Sequence, residues 1–161
     1  MENRGDIIIT GGAGFIGSNV ALALNARGRS DLIIVDHLEG GEKKNLEKIK
    51  HEQYFDRDDF LPALKKGDLG AIEAVLHFGA CTDTTVTDEQ YMLKYNTEYS
   101  KALFDFCTEN RIKFIYASSA ATYGDGAAGY DDNERSLRPL NIYQIIQSPA
   151  QHPARRRRTG P

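Results

Sequence analysis

Thr10-Gly11-Gly12-Ala13-Gly14-Phe15-Ile16-Gly17 sets Gly11, Gly14 and Gly17 three residues apart, between an apolar run and a stretch of helical character. In such a turn each glycine has its own duty. The first permits a tight bend, the second lets backbone approach a pyrophosphate, and the third lets helix pack closely on strand. The helix start then offers N–H groups and the positive end of its dipole to the phosphates. Asp36 stands 19 residues beyond Gly17, at the end of a second apolar run. A carboxylate there hydrogen-bonds a ribose diol and repels a 2′-phosphate. Lys43 and Lys44 follow, with Arg57 further on, and a cation in that place neutralises a 2′-phosphate. The spacing points to NAD or NADP and leaves the two open; the lysines are equally accounted for as a solvated face.

Other reactive residue types read as structural. Cys81 and Cys107 are too few for a disulfide framework, so they read as ordinary thiols of a reduced, cytoplasmic protein. His37 and His77 lack Cys or His partners at ligand spacing, and no metal is expected. Tyr91, Tyr95 and Tyr99 fit the packed face of a helix.

The elements that must hold these residues follow from the apolar pattern. Residues 6–10, 32–36, 74–78 and 113–118 are short, β-branched or aromatic runs of the buried parallel-strand type, and 53–55 is a weaker one. Helical character covers 15–27, with Gly28 as its terminator, and 57–66. The longest helix is expected over 88–110, where Met92, Tyr95, Tyr99, Ala102, Leu103 and Phe106 recur at three and four residues. Strands alternating with helices make an α/β fold, a Rossmann-type doubly wound parallel sheet.

The chain has 161 residues, 40% hydrophobic and 27% charged, which suits one folded domain. No apolar stretch is long enough to span a bilayer, and the polar start predicts no secretory leader. The charge is uneven. Residues 144–161 hold four arginines (Arg155 to Arg158), no Asp or Glu, and three of the five prolines; ahead of them 16 basic residues face 23 acidic ones. An acidic body argues against nucleic acid as a partner.

The glycine turn, Asp36 and Ala117-Ser118-Ser119-Ala120-Ala121-Thr122-Tyr123-Gly124 together resemble the extended short-chain dehydrogenase/reductases, which include nucleotide-sugar epimerases and dehydratases. His77-Phe78-Gly79-Ala80-Cys81-Thr82-Asp83-Thr84-Thr85, Tyr99-Ser100-Lys101 and Pro139-Leu140-Asn141-Ile142-Tyr143 narrow the resemblance to the ADP-glycero-manno-heptose 6-epimerase group. It runs from about Ile7 to Tyr143. The resemblance implies a nucleotide-sugar substrate, oxidised at C6 by bound NADP and re-reduced from the opposite face. It further implies that Phe15 and Ile16 meet the cofactor phosphates, and that Asp36, His37 and Lys43 surround the adenosine ribose. Arg57 stands where the family usually has lysine. Phe78, Gly79, Ala80, Cys81 and Thr82 line the cofactor, Asn96 supports the site, and Ser119 and Tyr143 are the catalytic pair. The family's homo-oligomeric assembly is an expectation of the same kind. A hydroxyl such as Ser119, at the carboxyl end of a strand, hydrogen-bonds an alcohol and the ketone it becomes. Tyr143 takes the alcohol proton. Its ordinary pKa is about 10, which a lysine one turn later lowers.

The chain departs from that pattern at one place. Position 147 is Gln147, not the lysine of Tyr-x-x-x-Lys, and Pro149 would interrupt the helix that carries the pair. The resemblance and the acidic character both stop at Gln144. The expectation is an incomplete nucleotide-binding domain over 1–143, without the substrate domain. A basic, proline-containing and disordered tail over 144–161 follows, most simply from a shift of reading frame near Tyr143, and leaves the copy inactive. The strand 113–118 is then expected as a sheet edge.

Overall fold

The computed structural model describes residues 4–38, 40, 42–81 and 88–131. Tyr143, Thr82, Gln147 and the expected tail lie outside them. The described chain falls into two compact units, one of 4–79 with 107–116, the other of 80–81, 88–106 and 117–131.

The first unit is built on a five-stranded parallel sheet of β1 (Asp6–Thr10), β2 (Leu32–Asp36), β3 (Gln53–Asp56), β4 (Ile72–His77) and β5 (Lys113–Tyr116), in the order β3-β2-β1-β4-β5. Three consecutive isoleucines (Ile7, Ile8, Ile9) form the central strand because both of its faces are covered. In register, Tyr54, Ile34, Ile9, Leu76 and Ile115 make one row across the sheet. Ile7, Ile9, Leu32 and Ile34 form one core with Ala21 of helix α1 (Phe15–Ala26) and with Ile49. By the period of two, Ile8, Ile33 and Val35 face the other way and are equally buried.

Helix ends carry their own sequence logic. After α1, Gly28 has φ +80°; its N–H donates to Asn25 C=O at 2.9 Å, and that of Arg29 to Leu24 C=O at 3.0 Å. These are the two bonds of a Schellman stop. Between β2 and β3 lies a single turn, α2 (Lys43–Leu46). Helix α3 (Arg57–Lys66) starts on Asp56, whose carboxylate accepts the Asp58 N–H at 2.9 Å, and ends at Gly67 with φ +75°. At the foot of the sheet Arg29 pairs with Asp31 at 2.6 Å and with Glu73 at 3.0 Å.

The second unit corrects one expectation. The helix expected over 88–110 runs as α4 (Glu89–Met92), a π-helical segment (Leu93–Glu98) and α5 (Tyr99–Glu109). Beyond β5 the chain turns once as a 3₁₀ helix (Ala120–Tyr123). No helix among the described residues is long and apolar enough to cross a membrane.

Candidate functional site

Chain order along the sheet reverses between β1 and β4: β2 and β3 lie to one side of β1, β4 and β5 to the other. Open α/β sheets bind ligands at the carboxyl ends of the strands beside such a reversal. The glycine turn stands there.

Gly11 bends the chain with φ +65°, and a Cβ on it would lie 2.6 Å from the Gly79 N. Gly79, just past β4, answers in kind: its own Cβ would lie 3.0 Å from the Gly11 N. The two bare backbones thus meet at the reversal, tied by Thr10. The Thr10 Oγ1 accepts the Gly79 N–H at 3.2 Å and shares a 2.5 Å hydrogen bond with the buried His77 Nδ1. Gly17 presses α1 onto the turn so closely that a Cβ would collide with the Gly11 carbonyl oxygen. Gly14 is different. Its φ of −67° is ordinary, and a Cβ would meet only the Gly11 oxygen, at 3.3 Å.

Gly14 is the N-cap of α1 and supplies no side-chain cap. Phe15 and Ile16, the next two residues, are 84% and 56% exposed. A helix start left open over bare glycine backbone is the cradle a pyrophosphate needs, so these residues fit a dinucleotide.

Asp36 ends β2 beside this turn. Its Oδ2 accepts the Ala13 N–H at 2.8 Å and the Gly14 N–H at 3.2 Å, and its Oδ1 accepts the His37 N–H at 2.8 Å. The carboxylate expected to meet a ribose therefore also braces the glycine turn. His37 Nδ1 bonds Asp56 Oδ2 at 2.9 Å. The Asp58 N–H, then His37, hold the Asp56 carboxyl below the usual carboxylate range, and Arg57 adds to this by its charge. Tyr54 donates its hydroxyl to the Asp36 carbonyl at 2.9 Å; burial, then Asp56 and Asp36, push its phenol upward. Lys43 is exposed on α2.

Asn96 sits in the π-helical segment, 2% exposed. Its Oδ1 accepts the Cys81 N–H at 2.7 Å and its Nδ2 donates to the Cys81 C=O at 3.0 Å. Both ends of the amide are spent on the loop after β4, so Asn96 shapes that loop rather than reaching outward. Phe78 is half-buried against the sheet core, and Ala80 is exposed. Ser119 follows β5; its carbonyl accepts the Thr122 hydroxyl at 2.9 Å, which fixes the start of the 3₁₀ turn. Burial pushes the Cys107 thiol up to about 12, which keeps it a neutral core group. Among the described residues no three potential metal ligands converge.

Gly11, Gly14, Gly17, Asp36 and Gly79 thus come together in the first unit, with His37 and Arg57 gathered around Asp56, and Cys81 pairs with Asn96 in the second. Sequence reasoning missed Gly12, Thr10, Asn45 and Asp56. A Cβ on Gly12 would lie 2.7 Å from the Ile34 Cγ2, a signal present only as the doubled glycine.

Comparison with known proteins agrees with this geometry. The chain is 52% identical over 139 residues to an ADP-L-glycero-D-manno-heptose-6-epimerase of Alkalilimnicola ehrlichii, covering 85% of this chain and 43% of that one. It is similar in structure to the ADP-L-glycero-D-manno-heptose-6-epimerase of Helicobacter pylori, with TM-score 0.76 and 27% identity over 89% of this chain and 48% of that one. The UDP-glucose 4-epimerase of Brucella ovis, solved with NAD, matches with TM-score 0.70 and 26% identity over 89% and 45%. The chain spans less than half the length of each of these relatives. Residues 7–152 match the NAD dependent epimerase/dehydratase family. With the glycine cradle set at the reversal of the sheet and the match running through nearly all of the described residues, the chain belongs to that family.

Proposed function

We propose that this chain is the dinucleotide-binding part of an epimerase that acts on an ADP-heptose, with NADP or NAD as its cofactor. One observation carries the reading: the Gly11–Gly79 contact beneath the uncapped start of α1, beside the Asp36 carboxylate. The identity of 52% to a heptose epimerase supplies the substrate class.

Gly11, Gly14 and Gly17 hold the pyrophosphate, with Phe15 and Ile16 at its edge. Asp36 and His37 face the adenosine ribose, with Lys43 and Arg57 as cations for a 2′-phosphate. Phe78, Gly79, Ala80, Cys81 and Thr82 border the rest of the dinucleotide, and Asn96 sets their loop. When bound, the cofactor would supply a reversible hydride acceptor for the sugar carbon. In the epimerase reaction Ser119 would hydrogen-bond the sugar oxygen and Tyr143 would take its proton.

Gln147 supplies no positive charge at the position where the family pattern Tyr-x-x-x-Lys has one. The chain by itself is therefore expected to bind cofactor without turning over a sugar.

Titration with NADPH and NADH, followed by nicotinamide fluorescence, tests the binding. Saturable enhancement with at least one of them is expected. No enhancement with either refutes the proposal, and epimerisation of ADP-heptose by the 161-residue chain refutes the part assigned to Gln147.

A further inference from the structure

The Ala13 peptide is held from both sides. Its N–H donates to Asp36 Oδ2 at 2.8 Å and its C=O accepts from Asn45 Nδ2 at 2.9 Å. Ala13 is fully buried. Both gripping side chains come from one stretch of chain, the end of β2 and the single turn α2 nine residues on. A four-residue turn is too short to hold itself as a helix. Two contacts dock it: the Asn45 amide on the glycine turn, and Leu46 packed against the core of Ile7, Ile9 and Ile34. Lys43 and Lys44, the first two residues of the turn, are exposed, and neither has an ion-pair partner among the described residues.

We infer that Asn45 is a positioning residue that pins α2 to the glycine turn, so that its lysines are presented to a cofactor 2′-phosphate. The inference deepens the proposed function and rests on it. Asp36 alone disfavours a 2′-phosphate. Three backbone N–H groups, of Ala13, Gly14 and His37, already spread its charge and draw it back to the turn. What remains to decide between the two dinucleotides is whether a cation is held nearby, and Asn45 is the hydrogen bond that holds it.

The test compares Asn45→Ala and Asn45→Asp with the unsubstituted chain. The aspartate keeps the shape but turns an acceptor on the Ala13 carbonyl. In the ligand-free proteins, amide hydrogen exchange over residues 42–47 is expected to accelerate in both variants. In calorimetric titrations, NADP binding is expected to weaken about five-fold, as for the loss of one neutral hydrogen bond. NAD binding changes by less than about two-fold, since NAD has no 2′-phosphate for the lysines to meet. Lys43→Ala/Lys44→Ala is expected to show the same loss for NADP, with Asn45→Ala adding nothing on that background. Unchanged exchange, or equal loss for both dinucleotides, overturns the inference. An unsubstituted chain that binds neither dinucleotide overturns the proposed function and the selectivity with it, while the exchange measurement still decides the pin by itself.

Discussion

At the turn, each residue is explained by what its backbone or side chain meets. Gly11 and Gly17 were legible in the sequence because only glycine escapes their constraints, a positive φ in one and backbone contact in the other. Asp36 was legible as a residue type, but its partners were not. Ala13 and Gly14 lie 23 and 22 residues away from it, and only the side-by-side pairing of β1 and β2 brings them within reach. Asn45 and Asp56 were illegible for the same reason. Titration follows from the same local contacts. The Arg29 guanidinium holds the Asp31 carboxyl below its ordinary value, and the Asp58 amide and His37 do the same for Asp56. Groups lowered in this way stabilise the fold above their unfolded pKa of about 4, and that stability is lost as the pH falls through their folded values. Asp6 has the opposite sign. Burial, then the charge of Asp31, raise it, so its contribution is present at low pH and lost as the pH rises. Asp31→Asn should therefore lower stability by about 1 kcal/mol at pH 7, the low end for a partly solvated charged hydrogen bond. The loss should be smaller at pH 3, where part of the stability that Asp31 contributes above its unfolded pKa has already gone. Melting curves at both values check it; an equal loss at the two would show that the pair acts by shape and not by charge.

The elements differ in how plainly their sequences mark them. β1, β2 and β4 are uninterrupted apolar runs buried on both faces, so composition alone marks them. β3 is an edge strand with two exposed positions, and its signal is correspondingly weak. Apolar residues at helical spacing predict one unbroken helix over 88–110. What interrupts it is polar. Asn96 is buried, its amide is committed to Cys81, and its carbonyl takes the Ser100 hydroxyl at 2.5 Å. Periodicity of apolar residues carries no trace of such a demand. π-helical segments recur where a helix must serve a functional loop, and the loop after β4 is the one Asn96 grips. At the other edge, β5 is the last strand of the sheet among the described residues, and Ile115 is 58% exposed on it. An apolar edge is a template for pairing with another chain, and lysine is a common guard against it. Ile115→Lys should shift the chain toward monomer in size-exclusion chromatography at equal loading, with little change in melting temperature. An unchanged elution profile would place any self-association elsewhere.

For the whole molecule, the question is how much of an epimerase resides in a chain that covers 43% of its relative. Five parallel strands and the glycine cradle stand in the first unit as described, so dinucleotide binding is the property this chain is expected to have. The sugar chemistry proposed above would draw on Ser119 and Tyr143, with Gln147 in place of the family's lysine. The central claim therefore rests on the cradle, and Gly14 separates binding from folding. A methyl group on Gly14 needs the Gly11 carbonyl to give only a few tenths of an ångström, but it occupies the opening at the start of α1. A methyl group on Gly17 is driven onto the Gly11 carbonyl itself. The most direct measurement is a calorimetric titration of NADP and NAD into the unsubstituted chain and into Gly14→Ala, with a melting curve of each and of Gly17→Ala. The account predicts one dinucleotide per chain and at least about ten-fold weaker binding by Gly14→Ala, about 1.4 kcal/mol. It also predicts a nearly unchanged melting temperature for Gly14→Ala and a much lowered one for Gly17→Ala. Undiminished binding by Gly14→Ala, or no binding by the unsubstituted chain, would contradict it.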